Sequence, residues 1–171
     1  MSLEDVVTYV NNLYSAVTSK IRALSREGRV KKLYIQTLSE YQSFLALARK
    51  FLTLALCIAK AKNDLPGRLC HRWIYTKQNG YVSLTKLEPR IVISYDGTSF
   101  KVSVRDREIK ASGLNIELRI NQYRETADLS SEEDTLQKRS LIIEAIGSVK
   151  AVLDHVTPDM ELCIKELRLR C

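Results

Sequence analysis

Apolar residues first recur at helical spacing. Val6, Val10, Leu13, Val17, Ile21 and Leu24 fall at steps of four and three, one stripe along a helix. Ser2 and Asp5 stand ahead of it as a weaker variant of the capping box. Gly28, inside REGR, predicts a left-handed helix end and a hairpin turn. A second helix is predicted over residues 30 to 62, roughly 48 Å long at about 1.5 Å per residue. Its seam is Tyr34, Leu38, Tyr41, Leu45, Ala48, Leu52, Ala55 and Ala59, again at alternating steps of four and three. That spacing suits a coiled-coil-like contact with the first helix or with a second copy. A further stripe of Phe44, Leu47, Phe51, Leu54 and Ile58 begins only halfway along. One neighbouring helix cannot cover both stripes, so these five are candidates for a protein interface or for contact with another layer.

The period then changes to two. After NDLPG, RLCHRWIYT (68–76) runs to Asn79-Gly80 and YVSLTKL follows, a hairpin pattern with a two-residue turn. In RIVISYDGTSFKVSVR (90–105), a two-residue Asp96-Gly97 turn would pair Ile93 with Phe100 and Ile91 with Val102 on one face, and Val92 with Lys101 on the other. DREIKASG reads as a connection. Leu114, Ile116, Leu118 and Ile120 alternate with polar residues, another half-buried strand. Ser130 or Ser131 caps a third helix whose Glu132, Glu133 and Asp134 suit its positive end. TPD (157–159) reads as a turn. Met160, Leu162, Ile164, Leu167 and Leu169 read as a last strand with a phase change, a short amphipathic helix being the competing reading.

These elements predict an α+β fold: an N-terminal antiparallel helical hairpin (1–66), then a central antiparallel sheet with a C-terminal helix packed on it (67–171). The two parts are expected to share one core. A chain of 171 residues buries roughly 68–70 % of its extended surface and needs no disulfides to fold. The start, MSLEDVV, lacks a basic region followed by an apolar one, and FLTLALCIA (51–59) is far short of the ~20 residues that span a bilayer. A soluble, cytoplasmic protein is expected, with no membrane contact. Cys57, Cys70, Cys163 and Cys171 show no short repeated spacing, so free thiols are expected, intracellular proteins of hyperthermophiles being the exception.

Phosphate-cradling, metalloprotease, hydrolase-elbow and redox signatures are missing. Cys70 and His71 are the best metal fragment, but adjacent strand residues point to opposite faces. No metal, other cofactor or catalytic residue is assigned, and a nonenzymatic role is expected. Asp106, Glu108 and Glu117 leave a metal-dependent nuclease as a minor alternative, with surface ion pairs the plainer explanation.

Charge changes the picture more. The net charge is +7, distributed as +5 over residues 1–67, +6 over 68–124 and −4 over 125–171. KIRALSREGRVKK places Lys20, Arg22, Arg26, Arg29, Lys31 and Lys32 around the hairpin turn with one acid, Glu27. Such cations contact successive phosphates without reading bases. A second patch is expected from Arg90, Lys101, Arg105 and Arg119 on the outward sheet face, with Arg107 and Lys110 in the connection. Arg72 beside Trp73 and Tyr75 would let exposed bases stack, unless that face is core, as its shared parity with Leu69 also allows. The leading expectation is therefore a nucleic-acid-binding protein, with a small subunit of a ribonucleoprotein or nucleoprotein assembly as one form of it and RNA or single-stranded DNA as partner. The alternative is an adaptor or structural subunit that forms a homo-oligomer or joins a larger complex through the second stripe.

Overall fold

The computed structural model describes residues 1–29 and 31–171; Val30, where the second helix was expected to begin, lies outside the described residues. Helix α1 (Leu3–Glu27) is held at its start by the Ser2 backbone N–H, which donates to Asp5 Oδ2 at 2.7 Å. It ends at Gly28, whose φ of 69° is the left-handed conformation that a Cβ would strain. Helix α2 (Lys32–Ala61) buries every residue of the predicted seam. Its second stripe is covered as well: Phe44, Phe51 and Ile58 are fully buried, and Leu47 and Leu54 pack half-buried against the same core. That corrects the interface expectation, because the covering layer belongs to this chain.

Eight strands follow in sequence order as one antiparallel meander: β1 (Gly67–Cys70), β2 (Trp73–Gln78), β3 (Tyr81–Leu87), β4 (Arg90–Tyr95), β5 (Phe100–Val104), β6 (Arg107–Ser112), β7 (Asn115–Ile120) and β8 (Tyr123–Asp128). Gln78 pairs with Tyr81 across Asn79-Gly80, the two-residue turn expected. The next turn is longer. Tyr95 pairs with Phe100 and Ile93 with Val102, so residues 96–99 form the loop, and Lys101 faces Ser94 instead of Val92. The Asp96 carboxylate stabilises this loop by accepting the N–H groups of Thr98 (2.9 Å) and Ser99 (2.8 Å). A shift of two residues preserves side-chain parity, which is why Ile91, Ile93, Phe100 and Val102 are still buried together. RLCHRWIYT is interrupted at His71 (φ 49°), and DREIKASG supplies strand β6 where a connection was expected.

Helix α3 (Glu132–Gln137) is capped by Ser131, whose Oγ accepts the Asp134 N–H at 3.1 Å. Helix α4 (Arg139–Glu166) runs on through TPD and includes Pro158, so Met160–Glu166 is helix, not strand. The apolar steps Val149, Leu153, Val156, Met160 and Cys163 keep one face buried through the proline. Lys150 Nζ reaches Glu40 (3.2 Å) and Lys50 Nζ reaches Glu161 (3.4 Å), so α2 and α4 run in the same direction side by side. Helix α1 lies along the other side of α2, and a single buried cluster joins the three helices to one sheet face. No helix among the described residues is long and apolar enough to cross a membrane.

The cysteines overturn the free-thiol expectation and the cytoplasmic assignment that rested on it. Cys57 is bonded to Cys171 and Cys70 to Cys163, with Cα–Cα separations of 5.9 and 6.1 Å. Disulfides persist in oxidising settings and argue against a reducing one.

Candidate nucleic-acid interface

Because the strands form a meander, alternate turns gather at opposite ends of the sheet. At one end, tyrosines of α1 and α2 fasten the hairpin to turn carbonyls: Tyr9 Oη donates to Thr98 O (2.7 Å), Tyr41 Oη to Gly113 O (3.3 Å) and Tyr34 Oη to Leu129 O (2.7 Å). These bonds tie both helices to that end of the sheet, and the tip, residues 20–32, lies between Tyr9 and Tyr34 in the chain. Lys20, Arg22, Arg26, Arg29, Lys31 and Lys32 are brought together there, all exposed except the half-buried Lys20. None of the six makes a salt bridge among the described residues. Arg22 and Arg26 are about 6 Å apart along the helix axis.

Helix α2 adds to this field. Its first turn contains no acidic residue, and Lys31 at its N-cap provides no capping side chain. Cations at the positive end of a helix are locally unfavourable by about 0.3–1 kcal/mol each, so this arrangement runs against stability. Uncapped N–H groups and adjacent lysines together favour an anion. Toward α3 the positive surface is bounded: burial first, then the charges of Glu132 and Asp128, raise the Tyr34 hydroxyl above its ordinary pKa.

The sheet patch is divided, and only Lys101, Arg107 and Arg124 of its cations meet carboxylates. Lys101 lies outward, 3.9 Å from the Glu108 carboxylate, which also accepts the Ser103 hydroxyl (2.8 Å) and meets Arg124 (3.7 Å). Arg124 reaches Glu117 as well (3.5 Å). Arg119 donates to the carbonyls of Asn121 (3.0 Å) and Arg105 (3.3 Å). Arg107 lies on the inward face, bridged to Asp106 and to Glu144 of α4, both at 3.1 Å. Arg72, Arg90 and Arg105 are exposed without such a bridge, but they stand at three successive turns along one end of the sheet, a step of two strands or roughly 9–10 Å each. Thus the sheet does not join the tip's residues into one uncompensated surface.

Trp73 cannot form a stacking platform. It is fully buried, its ring 4.9 Å from Phe51, with Nε1–H donating to Asp159 Oδ2 at 3.4 Å. Tyr75 is buried beside it and donates to Asp64 Oδ1 at 2.7 Å. Lys77 and Lys86 turn inward to Asp64 (2.8 Å) and Asp159 (2.6 Å). The acids considered for nuclease chemistry, Asp106, Glu108 and Glu117, are those already engaged with Arg107, Lys101 and Arg124. Among the described residues no three His, Cys, Asp or Glu side chains are grouped to hold a metal, and Cys70 is in a disulfide.

Sequence reasoning missed Arg124 because β8, YRETAD, has only Ala127 buried and so gives no alternating apolar signal. Its signal was the left-handed Asn121 before it, a turn residue between two strands (φ 56°). Comparison with family models, curated proteins and solved structures finds no match to this chain.

Proposed function

We propose that this protein binds nucleic acid through the hairpin tip, gripping phosphates without reading bases and without catalysing a reaction. The observation that carries this reading is the set of six tip cations gathered at one turn, none of which forms a salt bridge among the described residues, against sheet cations of which Lys101, Arg107 and Arg124 meet carboxylates and the rest are spread along the sheet. With Trp73 buried, nothing favours exposed bases over a duplex, so the partner is defined by its phosphates. The adaptor alternative loses its main support with the covering of Phe44, Phe51 and Ile58.

The test is fluorescence anisotropy with labelled 20-nucleotide RNA, single-stranded DNA and duplex DNA on the disulfide-intact chain. Binding at ~20 mM salt that weakens steeply toward ~200 mM is expected. An absence of binding to all three at low salt rejects the proposal.

A further inference from the structure

Strands β1 and β8 are the two edges of the sheet, and Tyr34 anchors the hairpin to Leu129, just after β8. The β1 edge carries a different surface. Eight large apolar side chains stand exposed among the described residues, and five of them lie at or near this edge. They are Leu65 before β1, Ile74 on β2, Leu87 on β3, and Leu162 and Leu167 at the close of α4. Leu65 and Leu87 are the most open of all, at 64 % and 59 %.

These positions are joined to one another. Arg68 pairs with Ile74 across β1 and β2, and Leu87 with Arg90 across β3 and β4. A hollow of about 480 Å³, lined by Arg68, Arg72, Ile74, Leu87 and Glu88, connects the two pairs. His71, 3.7 Å from Glu166, ties the β1–β2 turn to the close of α4. The Cys70–Cys163 and Cys57–Cys171 bonds fix that part of α4 and the segment after it.

The polar side chains here are mostly cations. Arg68, Arg72, Arg90, Lys165, Arg168 and Arg170 are exposed, and none forms a salt bridge among the described residues. Against these six stand three carboxylates: Glu88, Glu166 facing His71, and Glu161 facing Lys50.

The arginines call for an anionic partner and the aliphatic side chains for an apolar one. A second copy docked edge to edge would set like charges against each other. An added strand is refused, because Lys62 Nζ donates to the β1 carbonyls of Arg68 (3.3 Å) and Leu69 (2.7 Å). A polynucleotide satisfies the cations through its phosphates but leaves isoleucine and leucine in water. An anionic bilayer supplies both partners, charged headgroups at its surface and acyl chains just below.

We propose that the β1 edge docks on the surface of an anionic lipid bilayer, with Leu65, Ile74 and Leu87 entering the boundary between headgroups and acyl chains and the arginines held at the headgroups. The expectation of no membrane contact came from the want of a spanning segment, which surface binding does not need. This surface is separate from the hairpin tip and does not rest on the role proposed there.

Co-sedimentation of the disulfide-intact chain with vesicles of phosphatidylcholine, alone or with about 30 % phosphatidylserine, tests it at ~50 mM salt. Binding to the anionic vesicles and not to the neutral ones is expected. Ile74→Thr with Leu87→Thr keeps every charge and suits a strand, and should weaken that binding by about tenfold. Alanine at Arg72, Arg90 and Arg170 should weaken it by about a hundredfold, roughly fivefold per charge. The tip's own cations also attract anionic lipid, yet alanine at Arg22, Arg26, Lys31 and Lys32 should leave the binding within about threefold. No binding to the anionic vesicles overturns the proposal. So does binding that the tip variant loses and a folded Ile74→Thr, Leu87→Thr protein keeps in full. An arginine variant that loses RNA affinity and keeps its vesicle affinity would give this edge to a polynucleotide instead.

Discussion

The ring of Phe51 lies 4.9 Å from the ring of Trp73, tilted by 52°, deep between α2 and β2. From the pattern of the chain each had looked available to a partner, one to protein and the other to a base. Each instead covers the other. Phe51→Ala or Trp73→Ala should destabilise the fold by about 3–5 kcal/mol, as lost aromatic burial plus a cavity requires. Trp73→Phe should cost less and leave polynucleotide affinity within about twofold. Urea unfolding with an anisotropy titration checks both; a Trp73→Phe protein that is folded but fails to bind would return the ring to the interface.

What could be read from the chain was local. Gly28, Asn79-Gly80, Ser131 and the α2 seam carry their structural meaning within a few residues, through a permitted φ, a two-residue turn or helical spacing. The disulfides close across 114 and 93 residues, with no local trace in the sequence. Helix α4 continues through Pro158 because burial of Val156, Met160 and Cys163 outweighs the lost hydrogen bond, a tertiary effect. The tip cations were legible as a cluster, whereas the pairing of Lys101 with Glu108 depended on a strand, β6, that had read as a connection.

The two disulfides should open in order. Cys171 is exposed, while Cys70 and Cys163 are 3 % and 6 % exposed, so an attacking thiolate reaches the Cys57–Cys171 bond first. While Cys70–Cys163 persists, opening the outer bond frees only a ring of roughly twenty residues, worth about 3 kcal/mol in the chain-entropy relation. Titration with a dithiol should release two thiols before four, with a first fall in Tm of about 6–12 °C. Simultaneous release of all four would contradict this order.

Asp96 gives the β4–β5 loop a pH dependence of known sign. Burial pushes its carboxyl up, but the Thr98 and Ser99 N–H groups and hydroxyls outweigh this and bring it from 3.8 to about 2. A pKa lower in the folded state stabilises fully above the unfolded value and is lost as pH falls through the folded one. Asp96→Asn should therefore be less stable than the parent at pH 5, with the gap closing between pH 4 and pH 2. Urea midpoints across that interval check it; a gap independent of pH would mean the carboxylate charge contributes nothing.

The tip should trade stability against binding. Lys31 and Lys32 stand at the positive end of α2 with no acid in its first turn, so Lys31→Ala with Lys32→Ala should leave the fold as stable or raise it by a few tenths of a kcal/mol. Adding Arg22→Ala and Arg26→Ala brings to four the proposed phosphate contacts that are removed. The slope of log affinity against log salt should then fall by about 3 for a single strand and nearly 4 for a duplex. Alanine at Lys101, Arg119 and Arg124, whose charges are compensated or turned to carbonyls, should change that slope by less than about 1. A parent slope retained by the tip variant and lost by the sheet variant would move the phosphate contacts to the sheet.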